Sequence, residues 1–291
     1  MLRIENDFLV VEIDQKGAQL TRVVNKQAQF DYIWNGSQWP KHAPLLFPAI
    51  GRSTQDSYLI EGKTYPMQQH GFASDYLFEV AQQYSNKLIL RLRDNEETFK
   101  SYPFHFELQV TFELVDQQLR HTFTVKNLDE QELSYSFGFH PAFNVPIDDE
   151  GSFEEYQILF ETSEATLEQF EIKKNPYPYR SGKKHLFNNG AKVLPLTRKI
   201  FESGLIILNN QIDQVILRSE KSAHQVKMAL NGFPYFCLWT KEDEDLDFIC
   251  LEPFCGLPDV IDQSQEISHK EGNAHLAPKS EQSLTCTLTF E

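Results

Sequence analysis

Phe104-His105-Phe106-Glu107-Leu108-Gln109-Val110-Thr111-Phe112-Glu113-Leu114 sets a large apolar side chain at every second position, and the alternation returns in Leu119, His121, Phe123 and Val125 after Asp116-Gln117-Gln118. A period of two marks a strand with one face on a core and the other polar. Two such runs around a polar turn predict two long antiparallel strands. The Asn127-Leu128-Asp129-Glu130 turn then leads to Ser134-Tyr135-Ser136-Phe137-Gly138-Phe139-His140, where three aromatics alternate with small residues. A third strand is expected beside the first two, making a meander. His105 falls on the polar face and His121 in the apolar phase; both are read as structural.

Outward from this centre the chain keeps reading as strands. Residues 2–12 form two around Asn6-Asp7, residues 17–23 start another, and residues 58–65 form a hairpin turning at Glu61-Gly62. Further strands are predicted at 88–93, 157–161, 204–208, 215–218, 226–230 and in the alternating tail 284–290. Helix is confined to a candidate at 95–101 of at most two turns, stopped by Pro103, while Pro40, Pro44 and Pro48 forbid one before Arg52. Residues 175–180, rich in proline and tyrosine, read as a loop. Many strands, few short helices and no fixed repeat imply an all-β protein: one large antiparallel β-sandwich domain over residues 1–291.

Composition narrows the partner. The chain carries 23 phenylalanines and is 41% hydrophobic, ample for a large core, and its formal charge of −15 argues against nucleic acid. A small ligand is expected, on a monomer or homodimer. Cys237, Cys250, Cys255 and Cys286 form no CxxC pair, which fits reduced thiols of a cytoplasmic protein. The N-terminus has no apolar signal core, and no uncharged run is long enough for a bilayer, so neither secretion nor membrane insertion is expected. The acidic residues 241–247 read as a solvated hairpin tip rather than a calcium loop, and His269 and His275 lack ligand spacing; no metal is expected.

The candidate chemistry begins at His140. It lies on the small-residue face, which leaves open volume above the sheet, and Pro141 holds it extended at the strand end. Glu252-Pro253 repeats the arrangement after the uncharged run from Phe248, an odd place for a carboxylate. Two such ends facing one cleft would make an acid and base pair. Arg52 follows an apolar run and Gly51, so its guanidinium is delivered from a stiff segment, and Gly71 beside His70 offers bare backbone for a close ligand. Each residue alone has an ordinary structural explanation, such as an ion pair or a turn.

Together, Trp39-Pro40-Lys41-His42-Ala43-Pro44-Leu45-Leu46-Phe47-Pro48-Ala49-Ile50-Gly51-Arg52, His70-Gly71-Phe72-Ala73, Phe139-His140-Pro141-Ala142-Phe143 and Cys250-Leu251-Glu252-Pro253 resemble the aldose 1-epimerase (galactose mutarotase) family, most closely its LacX-type branch. The resemblance covers essentially the whole chain and implies a β-supersandwich with a sugar cleft on one sheet and no cofactor. It makes Glu252 the general base, His140 the general acid, His70 the second active-site histidine and Arg52 the substrate-binding arginine. Trp239 and Lys241 resemble a Trp-Thr-Lys element of this branch, Trp239 lying either on a sugar face or in the core. Other mutarotases of the family grip sugar hydroxyls with an aspartate on a later strand, and residues 200–205 here contain none. The expected activity is mutarotation of a free hexose such as galactose or glucose; a hexose-phosphate epimerase and a non-catalytic sugar binder are the alternatives.

Overall fold

The two runs that alternate most cleanly are the strands Phe106–Val115 and Gln118–Asn127, paired antiparallel from the Val115–Gln118 turn to Phe106–Asn127. They lie inside a nine-stranded antiparallel sheet of a computed structural model that describes residues 1–148, 151–174, 177–209, 212–241, 247–263 and 265–291. The C-terminal strand Glu281–Phe290 covers the free edge of Gln118–Asn127, and the order continues to Val193–Pro195 on one side and Glu79–Gln83 on the other.

The expected third strand of the meander goes elsewhere. Phe137–Phe139 pairs with Leu45–Leu46 and Phe248–Cys255 in a second, eight-stranded sheet. After Asn127, whose side chain donates to the carbonyls of Gln131, Leu276 and Ala277, the chain changes layer. Its aromatic face then packs across onto the sheet it left: Phe137 lies 4.4 Å from Phe123 and Phe139 4.5 Å from His121, ring centre to ring centre. The two sheets thus enclose one buried apolar cluster that draws residues from Ile4 to Phe290. Alternation reports which face is buried; it carries no information about which neighbour covers it.

The small-residue face is also more filled than expected. Ser134 and Ser136 are buried, their hydroxyls bonded to the Ile267 carbonyl and to Asn273, and Gly138 lies where Phe254 and Leu46 side chains leave no room for a Cβ. Only the level of His140 is open to the cleft.

Elsewhere the predicted pieces stand: strands Leu2–Glu5, Leu9–Asp14 and Gln19–Asn25 form their own sheet, and Ser57–Ile60 pairs with Lys63–Pro66. The α-helix Glu96–Phe99 starts at Asn95, whose side chain accepts from the Glu97 and Thr98 amides. Of the loop expected at 175–180, residues 178–180 belong instead to Pro178–Leu186, an edge strand of the eight-stranded sheet, and residues 175 and 176 lie outside the described residues. Strands Tyr235–Trp239 and Phe248–Cys255, which flank the acidic run, pair antiparallel, while residues 242–246 of that run lie outside the described residues. Among the described residues no helix is long and apolar enough to cross a membrane.

Candidate active site

Strand Phe248–Cys255 pairs in continuous register with Tyr235–Trp239 along one edge. Along its other edge it pairs first with Ala142–Asn144 and then with Phe137–Phe139. Between these two stretches stand His140-Pro141 on one side and Glu252-Pro253 on the other. Proline has no N–H to donate, so Pro141, opposite Leu251, and Pro253, opposite Phe139, each remove one bond of the ladder on either side of the level where His140 faces Glu252. Glu252 therefore sits inside its strand rather than at the end expected of it: Pro253 interrupts pairing on one edge only. Into the opening project an imidazole and a carboxylate, with His140 Nε2 3.3 Å from Glu252 Oε2.

This pair forms the floor of a cleft of about 600 Å³ that also takes in Arg52, His70, Trp239 and Lys241. His140 and Glu252 are 8% and 2% exposed. Burial drives His140 well below its ordinary 6.5, with the charges of His70 and Lys41 adding, and drives Glu252 well above its ordinary 4.5, the Cys237 thiol pulling it partly back. Both directions favour a carboxylic acid facing a neutral imidazole, with one proton shared by the pair. His140 Nδ1 and Glu252 Oε1 are buried without a partner. Such atoms cost about 1–3 kcal/mol each unless something bonds them, and ligand hydroxyls entering the cleft would do so.

His70 is held differently. The Gly51 amide donates to its Nδ1 at 3.1 Å and burial, with the Lys41 charge, lowers it to about 4. The ring is therefore neutral, and because Nδ1 accepts from Gly51 its proton sits on Nε2, 3.2 Å from the side-chain amide of Gln69. Gly71 leaves no opening for a ligand: its missing side chain lies against the Phe47 carbonyl, and its φ of +72° requires glycine.

The aldose 1-epimerase family profile matches residues 1–285. The chain belongs to the aldose 1-epimerase family. It is 28% identical over 283 residues to the chromosomal Protein LacX of Lactococcus lactis subsp. lactis, covering 92% of each chain. A galactose mutarotase-like protein from Lactobacillus casei superposes with a TM-score of 0.95 at 37% identity, with both chains fully covered. A galactose mutarotase related enzyme from Lactobacillus acidophilus gives 0.93 at 29% identity, over 100% of this chain and 97% of that one.

On this aldose 1-epimerase fold the cleft walls come from distant segments. Arg52 bends its guanidinium over the Tyr177 ring at 3.7 Å, and its Nε lies 3.1 Å from Asp56 Oδ1. The loop that presents it is pinned where the Thr54 amide donates to buried Asp259, itself 2.8 Å from the Lys270 ammonium. Trp239 is half-buried in an aromatic rim: its ring centre lies 5.4 Å from Trp39 and 5.7 Å from His140. Trp34 joins the rim by donating from Nε1 to the Trp39 carbonyl at 3.1 Å. Lys241 Nζ donates to the Gln38 carbonyl at 3.2 Å.

Sequence reasoning gave no role to Trp39, Lys174, Tyr177 or Cys237, all of which line the cleft, as does Lys41, a candidate cation for a phosphorylated hexose. Cys237 had a readable signal, since a strand preceding Glu252 by a hairpin places some residue opposite it, and the register makes that residue Cys237. Tyr177 and Lys174 had none. They reach the cleft only because Glu168–Lys174 and Pro178–Leu186 pair at the edge of the same sheet.

Proposed function

We propose that the protein is a cofactor-free mutarotase that interconverts the α and β anomers of a free hexose. The observation that carries this reading is the His140–Glu252 pair, 3.3 Å apart on a cleft floor where each keeps an unpartnered buried atom. With the ring form bound, Glu252 as carboxylate takes the proton of the anomeric hydroxyl while His140 as imidazolium protonates the ring oxygen. The bond from C1 to the ring oxygen breaks and an open-chain aldehyde is left between a neutral acid and a neutral imidazole. That uncharged state is the one burial favours, so the desolvated floor supports the intermediate. After rotation about C1–C2, His140 takes the proton back from the former ring hydroxyl and Glu252 returns its own to the carbonyl oxygen. The ring closes as the other anomer and the pair regains its starting state. Neutral His70 and cationic Arg52 hold oxygens around the reacting centre and limit unproductive orientations.

A second reading has its own support. Lys41, Arg52, Lys174 and Lys241 line the cleft against two acids, Asp75 and Glu252, in a chain of net charge −15. A local excess of cations suits a phosphorylated hexose. Polarimetry of freshly dissolved α-D-galactose, α-D-glucose and α-D-glucose 6-phosphate separates the cases. Faster decay of the free sugars is the expected result. Acceleration of the phosphate alone would transfer the assignment to the second reading, and binding without acceleration of any would leave a sugar binder and end the enzymatic one.

A further inference from the structure

Behind the cleft lining, next to the acid and base, lies a third donor, the fully buried Cys250. Side chains alternate along Phe248–Cys255, so Cys250 stands two residues from Glu252 on the same face. One ligand atom each of His140, Cys250 and Glu252 lie within 4.8 Å of one another, and all three residues are buried. Tetrahedral zinc binds imidazole and carboxylate at about 2.0–2.2 Å and thiolate at about 2.3 Å, which places neighbouring donors roughly 3.3–3.6 Å apart. The 3.3 Å between His140 Nε2 and Glu252 Oε2 already has that length. A second observation points the same way: Glu252 Oε1, on a residue 2% exposed, has no partner.

We propose that His140, Cys250 and Glu252 form a site for one thiophilic divalent cation, zinc fitting best, whose occupancy shuts the enzyme down. Binding exchanges the Cys250 thiol proton, and the Glu252 proton where present, for the ion; no electrons move. Thiolate, carboxylate, neutral imidazole and a dication sum to zero charge, so the buried set needs no further counter-ion. A mixed N, S and O set with one thiolate selects zinc, cobalt or cadmium over magnesium and calcium. The ion enters by the cleft, since His140 and Glu252 both line it. Occupied, neither group can exchange a proton with sugar. The inhibition rests on the mutarotase reading, whereas the binding does not.

The test is a titration of chelator-stripped protein with Co²⁺, read by the thiolate-to-cobalt absorption band, followed by Zn²⁺ displacement and by polarimetry in Zn²⁺. One Co²⁺ per chain, displaced by one Zn²⁺, is expected, with turnover falling at least tenfold and recovering on chelation, and with Mg²⁺ inert. Cys250→Ala should lose the band and weaken Zn²⁺ inhibition by at least about tenfold relative to its own metal-free rate. Cys286→Ala, altering a buried thiol of the other sheet, should keep both. A band that survives Cys250→Ala, or the lack of a stoichiometric site in the native protein, overturns the proposal. Should Cys250→Ala not fold, Glu252→Gln must weaken Co²⁺ binding by a similar factor. A chain that binds Co²⁺ through thiolate yet never speeds mutarotation keeps the site and loses the proposed function; turnover indifferent to bound Zn²⁺ does the reverse for the inhibition.

Discussion

His121 and His140 are both buried imidazoles in sheets that face each other, and burial pushes both well below the ordinary value of 6.5. His121 lies among the rings of Phe112, Phe123 and Phe139, and neither of its nitrogens has a partner. His140 stands at a break in the ladder, before a carboxylate and an open cleft. Desolvation alone therefore does not make a catalytic histidine. What separates the two is a second titratable group within reach and a path for substrate.

Glu252→Gln tests this most severely, because it turns His140 into another His121: an imidazole with nothing to trade protons with. Mutarotation should fall about 10²–10⁴-fold while calorimetry still shows sugar binding. Normal turnover in this variant would remove Glu252 from the mechanism. The pH profile probes the pair as a unit, since only the singly protonated pair works. With His140 lowered and Glu252 raised, the order of the two groups is exchanged, and kcat/KM should hold a broad plateau that runs past both ordinary values, beyond 4.5 on the acid side and beyond 6.5 on the alkaline side. A narrow bell bounded by those two ordinary values would mean that the floor is solvated and the contrast with His121 lost.

Arg52→Met separates holding from chemistry. Losing a charged donor to sugar should raise KM about tenfold with kcat nearly unchanged; a fall confined to kcat would place Arg52 at the transition state. The smallest effect on activity belongs to His121→Leu, which should leave turnover within about twofold. Its signature is in stability. Below 6.5 the unfolded chain protonates this imidazole and the native state does not, so native His121 costs stability as pH falls. The variant should reduce the slope of unfolding free energy against pH there by about 1.4 kcal/mol per pH unit, measured by urea titrations between pH 5 and roughly 6. An unchanged slope would show that His121 titrates freely.

The sequence was most legible where a local pattern carries the structure. The alternation at 104–125 is a property of the strand itself, and it predicts the hairpin Phe106–Val115 with Gln118–Asn127. It could not say that Phe137–Phe139 pairs with Leu45–Leu46, because sheet partners are set by long-range packing. His140 and Glu252 stood out through the prolines after them. The same prolines misled about Glu252, since a proline that breaks one edge of a strand reads like its end. Tyr177 and Lys174 reach the cleft by topology, and so does the meeting of Cys250 with His140, whose positions lie far apart in the chain. Gly71 illustrates the opposite case: a glycine beside a histidine looks like room for a ligand and is occupied by the Phe47 backbone.

The chain has three tryptophans, Trp34, Trp39 and Trp239, and all three stand in the aromatic rim beside His140. The core is built on phenylalanine and tyrosine instead, and contributes no indole. Ultraviolet emission excited at the red edge of the spectrum thus originates in this one cluster, two of whose three indoles, Trp39 and Trp239, line the cleft, and the molecule carries its own optical probe of occupancy, with no label.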